Sequence, residues 1–313
     1  MNHPANTHSM EIARAIGFMI AAMFLLPCID AIAKWLSGSI SAGQVTWSRF
    51  LFQILFMLPL LPRSRGQWIT PSLWLHAARG ALLVGATLFF FSGLAYLPLA
   101  DAISIFFVEP LMVTILSAVF LKEAFGWRRL LAIVAGFIGA LIIIRPTFSD
   151  VGWPAIYPVC AAGCFSFYIL LTRKLVAKED PIRLQFLAGI FGFVVISAML
   201  AAASGQDVAA LAFIQPTPAQ WGLLCGLGLI ATTGHLLVVY AFRHAPVSVL
   251  APFQYVEIIG STVLGFLIFD DFPDSVTWIG ILIIVGSGIY VFHRETIVGA
   301  RRERVGISPP TAG

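Results

Sequence analysis

Apolar residues in this chain come in runs of about twenty, separated by short clusters of proline, glycine and charge. A membrane-crossing helix needs roughly 20 such residues, and ten runs meet that requirement: 15–36, 44–62, 73–95, 99–121, 127–145, 153–173, 183–203, 219–242, 248–269 and 274–293. The interruptions carry turn chemistry: Pro62 to Pro71 with two arginines and a glycine, Pro98, Gly126, Pro146 to Pro154, Pro181, Gln215 to Pro218, Pro246, and the acidic group Asp270, Asp271, Pro273 and Asp274. The predicted fold is an all-α polytopic membrane protein with ten transmembrane helices. The first run follows a polar start of about 14 residues and is too long for a signal-peptide core, so it is expected to stay attached.

Composition supports the same picture. The chain has 313 residues, of which 59% are hydrophobic and 11% charged, against about 25% charged in a soluble globule. Its mean hydropathy is +0.93. Ten spans use about 200 residues and leave no room for an extramembrane domain. The net charge of +4 points to anionic lipid, with the bilayer as partner and no nucleic acid, because the basic residues flank apolar runs and form no stripe interleaved with exposed aromatics. Cys28, Cys160, Cys164 and Cys225 all fall inside apolar runs, so no disulfide framework is readable. Cys160 and Cys164, one helical turn apart, have no further ligands nearby and are read as packing, with no metal site.

Orientation follows from lysine and arginine, which collect on the cytoplasmic side. With the N-terminus inside, the inner segments hold fifteen of the 19 basic residues, from Arg14 through Lys122 and Arg183 to Arg304, and the outer ones hold only Lys34 and Arg145. Both termini are therefore expected to be cytoplasmic, in a multi-pass protein of the cell inner membrane. Trp35, Trp47 and Trp153 fall at outer ends and read as an interfacial belt.

Two distant stretches share one pattern. "LAYLPLADAISIFFVEPLMVTILSAVFLKEAFGW" from Leu94 and "FRHAPVSVLAPFQYVEIIGSTVLGFLIFDDFPDSVTW" from Phe242 align at an offset of 148, so that Pro98 meets Pro246, Glu109 meets Glu257 and Glu123 meets Asp271. After a two-residue insertion Gly136 meets Gly286, and Arg145 falls within one position of Arg294. The first five spans match the last five. Because five is odd, the second copy crosses in the opposite sense, an inverted repeat of the kind that supports alternating access around a site near the midplane.

The approach to the fourth span in "LAYLPLADA", the "EP" within it, "FLKE" with the following aromatic and "GW", the glycines of "VAGFIGALIIIRP", and the later "LAPFQYVE" and "FLIFDDFPD" together resemble the drug/metabolite transporter superfamily, in its ten-helix EamA-type branch. The resemblance covers the chain from about Ile12 to Glu295. It implies two EamA repeats at 15–145 and 153–293, cytoplasmic tails at 1–14 and 294–313, and secondary transport without ATP hydrolysis. Members of that superfamily export amino acids and drugs or import vitamins and other metabolites, so substrate and direction stay open.

Ionisable residues inside the apolar runs are the candidate chemistry. A charge at the bilayer centre costs roughly 2.5–3.5 kcal/mol on insertion scales and is expected to face a bundle interior or watery cavity. Glu109 and Glu257 lie some 12 to 15 Å deep at about 1.5 Å per residue. Two carboxylates sharing a low-dielectric hollow repel when both are ionised, which suits them to exchange a proton for a substrate or to neutralise a cationic or zwitterionic one; a structural ion pair with Arg49 or Arg79 is the alternative. Pro110 and Pro252 each free a carbonyl four residues earlier, on Phe106 and Ser248, for an ammonium or water, or else make ordinary kinks. Pro27 and Pro158 are read as comparable breaks. Asp30 is a further candidate, with pairing to Lys34 as its alternative. Arg49 and Arg79 sit where snorkelling to headgroups is the favoured role and carboxylate pairing the other. His235 is a proton relay or a packing histidine. Phe106, Phe107, Phe253, Tyr255, Tyr168 and Gln254 supply a greasy wall with polar handles, of which some are expected to line the pocket. Gly222, Gly226 and Gly228, with Gly136, Gly139, Gly286 and Gly288, are expected to pack helices closely and leave a homodimer face open as a possibility.

No nucleophile sits with a base at working spacing, so an enzyme is not expected; no phosphate loop is present, and no cofactor is implied. The expected function is secondary active transport of a small organic metabolite, amino acid-like, vitamin-like or cationic, proton-coupled or by exchange. The alternatives are a drug or metabolite efflux pump of broad specificity, a channel, or a non-transporting scaffold.

Overall fold

The computed structural model describes residues 4–63, 73–120, 127–176, 179–245, 250 and 253–304, and within them the backbone is helical with no strand. The helices are α1 (Pro4–Leu36), α2 (Ala42–Met57), α3 (Leu73–Leu94), α4 (Leu99–Phe106), α5 (Glu109–Phe120), α6 (Trp127–Val151), α7 (Tyr157–Val176), α8 (Pro181–Ala203), α9 (Pro218–His244), α10 (Val256–Phe269) and α11 (Ser275–Arg304). Seven stretches are long and apolar enough to cross a bilayer on their own, α4 and α5 together making one of them, and shorter apolar helices at Leu130–Ile144, Val256–Phe269 and Ser275–Tyr290 complete ten crossings. The first helix starts eleven residues before the apolar run, at Pro4, and the last two helices of the repeats, α6 and α11, run beyond 145 and 293.

Two of the ten spans are discontinuous. In the fourth, α4 stops at Phe106, a turn follows at Phe107 and Val108, and α5 restarts at Glu109. Pro110 is the physical cause: it has no N–H to return to Phe106, and its ring crowds that carbonyl. The Leu111 N–H turns instead to the Val108 carbonyl at 3.1 Å. The ninth span breaks at Tyr255, two residues before Glu257, where the Ile258 N–H reaches the Tyr255 carbonyl at 3.2 Å. Pro252 and Ser248, the other proline-freed carbonyl pair, lie outside the described residues. Pro27 and Pro158 are not comparable breaks: Pro27 sits inside the continuous α1, and Pro158 is the second residue of α7, where a missing N–H costs nothing.

The packing repeats as the sequence does. The first span packs along the eighth and ninth, and its counterpart the sixth packs along the third and fourth; the second meets the eighth as the seventh meets the third; second and seventh, and fifth and tenth, pair with each other. Adding or subtracting five from each span number exchanges these contacts among themselves, which is the signature of a two-fold relation between the halves. The axis can be located by its residues. Phe107 and Tyr255 are equivalent at the offset of 148, and their rings lie 5.2 Å apart. Residues that contact their own counterparts flank a two-fold axis, so the two helix breaks meet at the centre of the bundle.

Glycine allows the fifth and tenth spans to touch. A Cβ on Gly139 would stand 3.0 Å from the Gly280 carbonyl oxygen and 3.0 Å from both Ile283 and Ile284. Gly136 and Gly288 are filled by Leu111 and Tyr255 respectively, and Gly228 by Phe52. Gly222, Gly226 and Gly286, expected to pack in the same way, have nothing within 4 Å of a Cβ position. Gly139→Leu is therefore expected to destabilise the bundle by about 1–3 kcal/mol through overpacking, while Gly226→Ala stays within about 0.5 kcal/mol of wild type; thermal unfolding in detergent followed by size-exclusion chromatography reads both.

At the end of the bundle away from the chain termini, loops are tied across the halves. Asp270 caps α10 in the left-handed conformation (φ 59°), turning the chain so that Asp271 meets Lys34 at 2.6 Å. Lys34 also donates to the Leu97 carbonyl at 2.8 Å. The alternative reading of Asp30, as a partner of Lys34, gives way to a pairing that joins the first span to the loop after the ninth, and Asp30 lines the cavity instead. Gln44 bonds both backbone groups of Ile214, at 2.7 and 3.0 Å, pinning the long connection between the seventh and eighth spans. Trp35 and Trp153 are exposed at this end, whereas Trp47 is held by a 3.0 Å bond from its indole N–H to Ser197.

Candidate functional site

The helix breaks open a cavity beside the axis. Its volume, counted as the space open to the centre of a water molecule, is about 120 Å³; at 10–15 Å³ per water on that measure it holds on the order of ten waters, roughly 300 Å³ of liquid. That is the low end of ligand-pocket sizes. Both repeats contribute to its wall. From the first come Asp30 and Met23 of α1, Arg49 of α2, Thr87, Phe90 and Phe91 of α3, and Phe106, Phe107 and Glu109 around the first break; from the second come Phe165 and Ile169 of α7, His235 of α9, and Gln254 and Glu257 around the second break.

Seven of the ten candidate residues converge here: Glu109, Glu257, Asp30, Arg49, His235, Phe106 and Gln254. The carboxylates of Asp30, Glu109 and Glu257 are 8%, 7% and 9% exposed. None has a hydrogen bond or ion pair from its side chain among the described residues. Glu257 links them electrostatically, facing the charges of both Asp30 and Glu109. Glu109 is the first residue of α5, and Glu257 the second of α10, so each carboxylate stands at the positive end of a half-helix, where unsatisfied N–H groups favour negative charge. Glu109 also lies within electrostatic range of Arg173, and for both glutamates the half-helix end adds positive potential where no side-chain ion pair is made.

Arg49 does not snorkel. It is 2% exposed and turns inward, donating from Nη1 to the Thr87 hydroxyl and from Nη2 to His235 Nε2 at 2.7 Å. A guanidinium offers only donors, so His235 Nε2 accepts, which places the imidazole proton on Nδ1. Asp30 lies within electrostatic range of Arg49 but forms no ion pair with it.

Arg79 corrects the anchoring expectation a second time. Fully buried, it donates to Thr172 Oγ1 at 3.0 Å, to the Leu184 carbonyl at 3.2 Å and to the Tyr168 hydroxyl at 3.4 Å, with its guanidinium 5.0 Å over the Tyr168 ring. It pins the third span to the sixth and seventh and is not part of the cavity wall. Tyr168 stands behind that wall, its ring 5.4 Å from the lining Phe165. Tyr255 is likewise off the wall, at the axis with Phe107, and its buried hydroxyl has no partner among the described residues.

Residues that the sequence did not single out complete the picture. Thr87, Phe90, Phe91 and Phe165 line the cavity, but one threonine and three of 26 phenylalanines carry no distinguishing signal in a chain this apolar. A separate ionic cluster lies toward the end bearing the termini: Glu179 holds His76 at 3.0 Å and Arg183 at 2.8 Å, all nearly inaccessible. Near the opposite end Thr277 donates to Asp101 at 3.3 Å, joining the tenth span to the fourth.

Comparison with known proteins adds the following. The model of the EamA-like transporter family matches the chain twice, at residues 13–145 and 152–292. An S-adenosylmethionine uptake transporter of Rickettsia bellii is 28% identical over 94% of this chain and 97% of its own length. A riboflavin transporter of Rhizobium johnstonii is 27% identical over 95% of this chain and 96% of its own. A pseudopaline exporter of Pseudomonas aeruginosa is 26% identical over 85% of this chain and 91% of its own.

Proposed function

This chain belongs to the EamA-like transporter family, and on that premise we propose that it moves a small organic cation or zwitterion across the inner membrane by alternating access, coupled to protons or to exchange of a second solute. The observation that carries the reading is three buried carboxylates, with no side-chain hydrogen bond or ion pair among the described residues, around a cavity built by both repeats. Burying an unpaired charge costs several kcal/mol, and a cationic substrate or a proton is what would offset it. The phenylalanines around the acids suit an apolar or aromatic body. A halves-exchanging motion would open the cavity to one side and then the other, with the substrate held where the breaks meet.

Glu109 and Glu257 are proposed as the substrate- or proton-binding pair, with Asp30 as the third acid. The termini are placed in the cytoplasm, because fifteen of 19 basic residues then fall on the inner side. Relatives named for uptake and for export support the same architecture in both directions, so efflux is the second reading.

Proteoliposomes preloaded with unlabelled S-adenosylmethionine, riboflavin or an aromatic amino acid test the reading by counterflow. Saturable uptake of the labelled compound, stimulated by the same compound on the far side, is expected for at least one of them. Flux that rises linearly with concentration and ignores the far side would mean a channel; no flux for the whole panel would leave a scaffold.

A further inference from the structure

We infer that the cavity is electrically divided, with Arg49 as a dedicated anion-recognition end and His235 as the residue that aims it, so that the substrate carries a carboxylate or equivalent anionic group as well as a cation. This rests on the transport reading above and narrows it to zwitterions.

The argument begins with donors. Of the five N–H groups of a guanidinium, Arg49 spends one on Thr87 and one on His235. The other three have no acceptor among the described residues, although the side chain lines the cavity and is 98% removed from solvent (2% exposed). A buried guanidinium with free donors, facing a hollow, is built for a planar two-oxygen acceptor, where paired N–H···O bonds add both energy and direction. The Asp30 carboxylate lies within electrostatic range yet forms no ion pair with it, and both side chains line the same cavity.

Besides stacking over the Phe50 ring at 5.0 Å, Arg49 makes two hydrogen bonds, and these come from opposite halves. Thr87 is on the third span of the first repeat, and His235 on the eighth span, in the second. His235 serves as an acceptor through Nε2, and in that state it has no lone pair left to take up a proton. The sequence reading of His235 as a relay gives way to a positioning role: it holds the guanidinium across the repeat interface. Glu109 and Glu257 line the same cavity and offer carboxylates to a cation, and Phe90, Phe106 and Phe165, in ring contact in that order and ending beside His235, supply a wall for the apolar part.

The test uses matched pairs that differ by one carboxylate: S-adenosylmethionine against its decarboxylated form, tryptophan against tryptamine, and arginine against agmatine, with riboflavin as an uncharged ring. Binding to purified protein is followed by thermal stabilisation and by competition in counterflow. At least one zwitterion should bind roughly tenfold or more tighter than its amine, and riboflavin should not compete with it. Arg49→Gln should erase that preference while keeping amine binding. His235→Leu should reduce it, and His235→Gln, whose amide oxygen can still accept from Arg49, should restore it; a purely structural role for His235 would leave the zwitterion-to-amine ratio unmoved. Equal binding of amines and zwitterions to wild type, preference for riboflavin, or no zwitterion bound at all would overturn the inference. Counterflow of amines with no zwitterion preference would sink it while leaving the transport reading intact; tight zwitterion binding without counterflow would do the reverse.

Discussion

Glu257→Gln and Glu109→Gln should each cut substrate counterflow by roughly 10- to 100-fold while leaving the protein as stable as wild type or more so. The first effect follows from the loss of a charge-assisted contact to a cation, about 1.5–3 kcal/mol, read through the tenfold-per-1.4 kcal/mol relation. The second follows from the site itself. Each residue is about nine-tenths buried and neither makes a side-chain hydrogen bond or ion pair among the described residues, and Glu257 faces two other acids. Replacing one with an amide of the same shape removes repulsion and a desolvation cost without opening a void. Opposite signs for function and stability distinguish a ligand site from a structural one, since a structural carboxylate would lose both together. Counterflow and thermal unfolding on the same preparations decide it: unchanged flux in both variants removes these acids from the mechanism. The same variants address coupling. If an imposed pH difference speeds wild-type uptake, that acceleration should vanish in at least one of them.

Arg79→Met should have the largest effect on stability, about 3 kcal/mol, with little direct effect on what is bound. Its guanidinium joins Thr172, Leu184 and Tyr168 on two other spans, and hydrogen bonds to charged groups contribute about 1.5–3 kcal/mol apiece, without strict additivity. Thr172 is itself tied to the Tyr168 carbonyl at 2.7 Å, so the loss would loosen a connected patch. Arg79→Lys should recover less than half, because a single ammonium cannot reach three acceptors in the plane of a fork or stack on the Tyr168 ring as the guanidinium does. Loss of monodisperse protein at lower temperature on size-exclusion chromatography would register both changes. Wild-type stability in Arg79→Met would mean that water or lipid satisfies the group.

The contrast between these two arginines marks how far the sequence could be read. Ten apolar runs, their breaks and the offset of 148 were legible because membrane insertion demands length and apolarity above everything else, and both survive in local sequence. The mirrored glutamates were legible for the same reason, as expensive exceptions in a greasy background. What Arg49 and Arg79 do was not. Both sit a turn or two from a span end, where snorkelling is the ordinary solution, and the choice between lipid, cavity and helix packing depends on rotation of α2 and α3 about their axes. That rotation is set by partners in the other repeat, His235 for one and Thr172 for the other, more than ninety residues away in sequence. Thr87 escaped notice because a hydroxyl in a helix has a ready acceptor in its own backbone and signals nothing. The breaks at Phe107 and Tyr255 were half visible: Pro110 announces the first, but the second falls three residues past Pro252, where no side chain marks it.

The contact between Phe107 and Tyr255 sets a rule for how the molecule can be watched. When two halves trade places about a shared line, points on that line stay still and displacement grows with distance from it. Under the proposed alternating access, spectroscopic reporters beside these rings should therefore register almost nothing, and serve as an internal zero. Reporters at the Lys34 and Asp271 junction, far out along the lever, should register the full stroke.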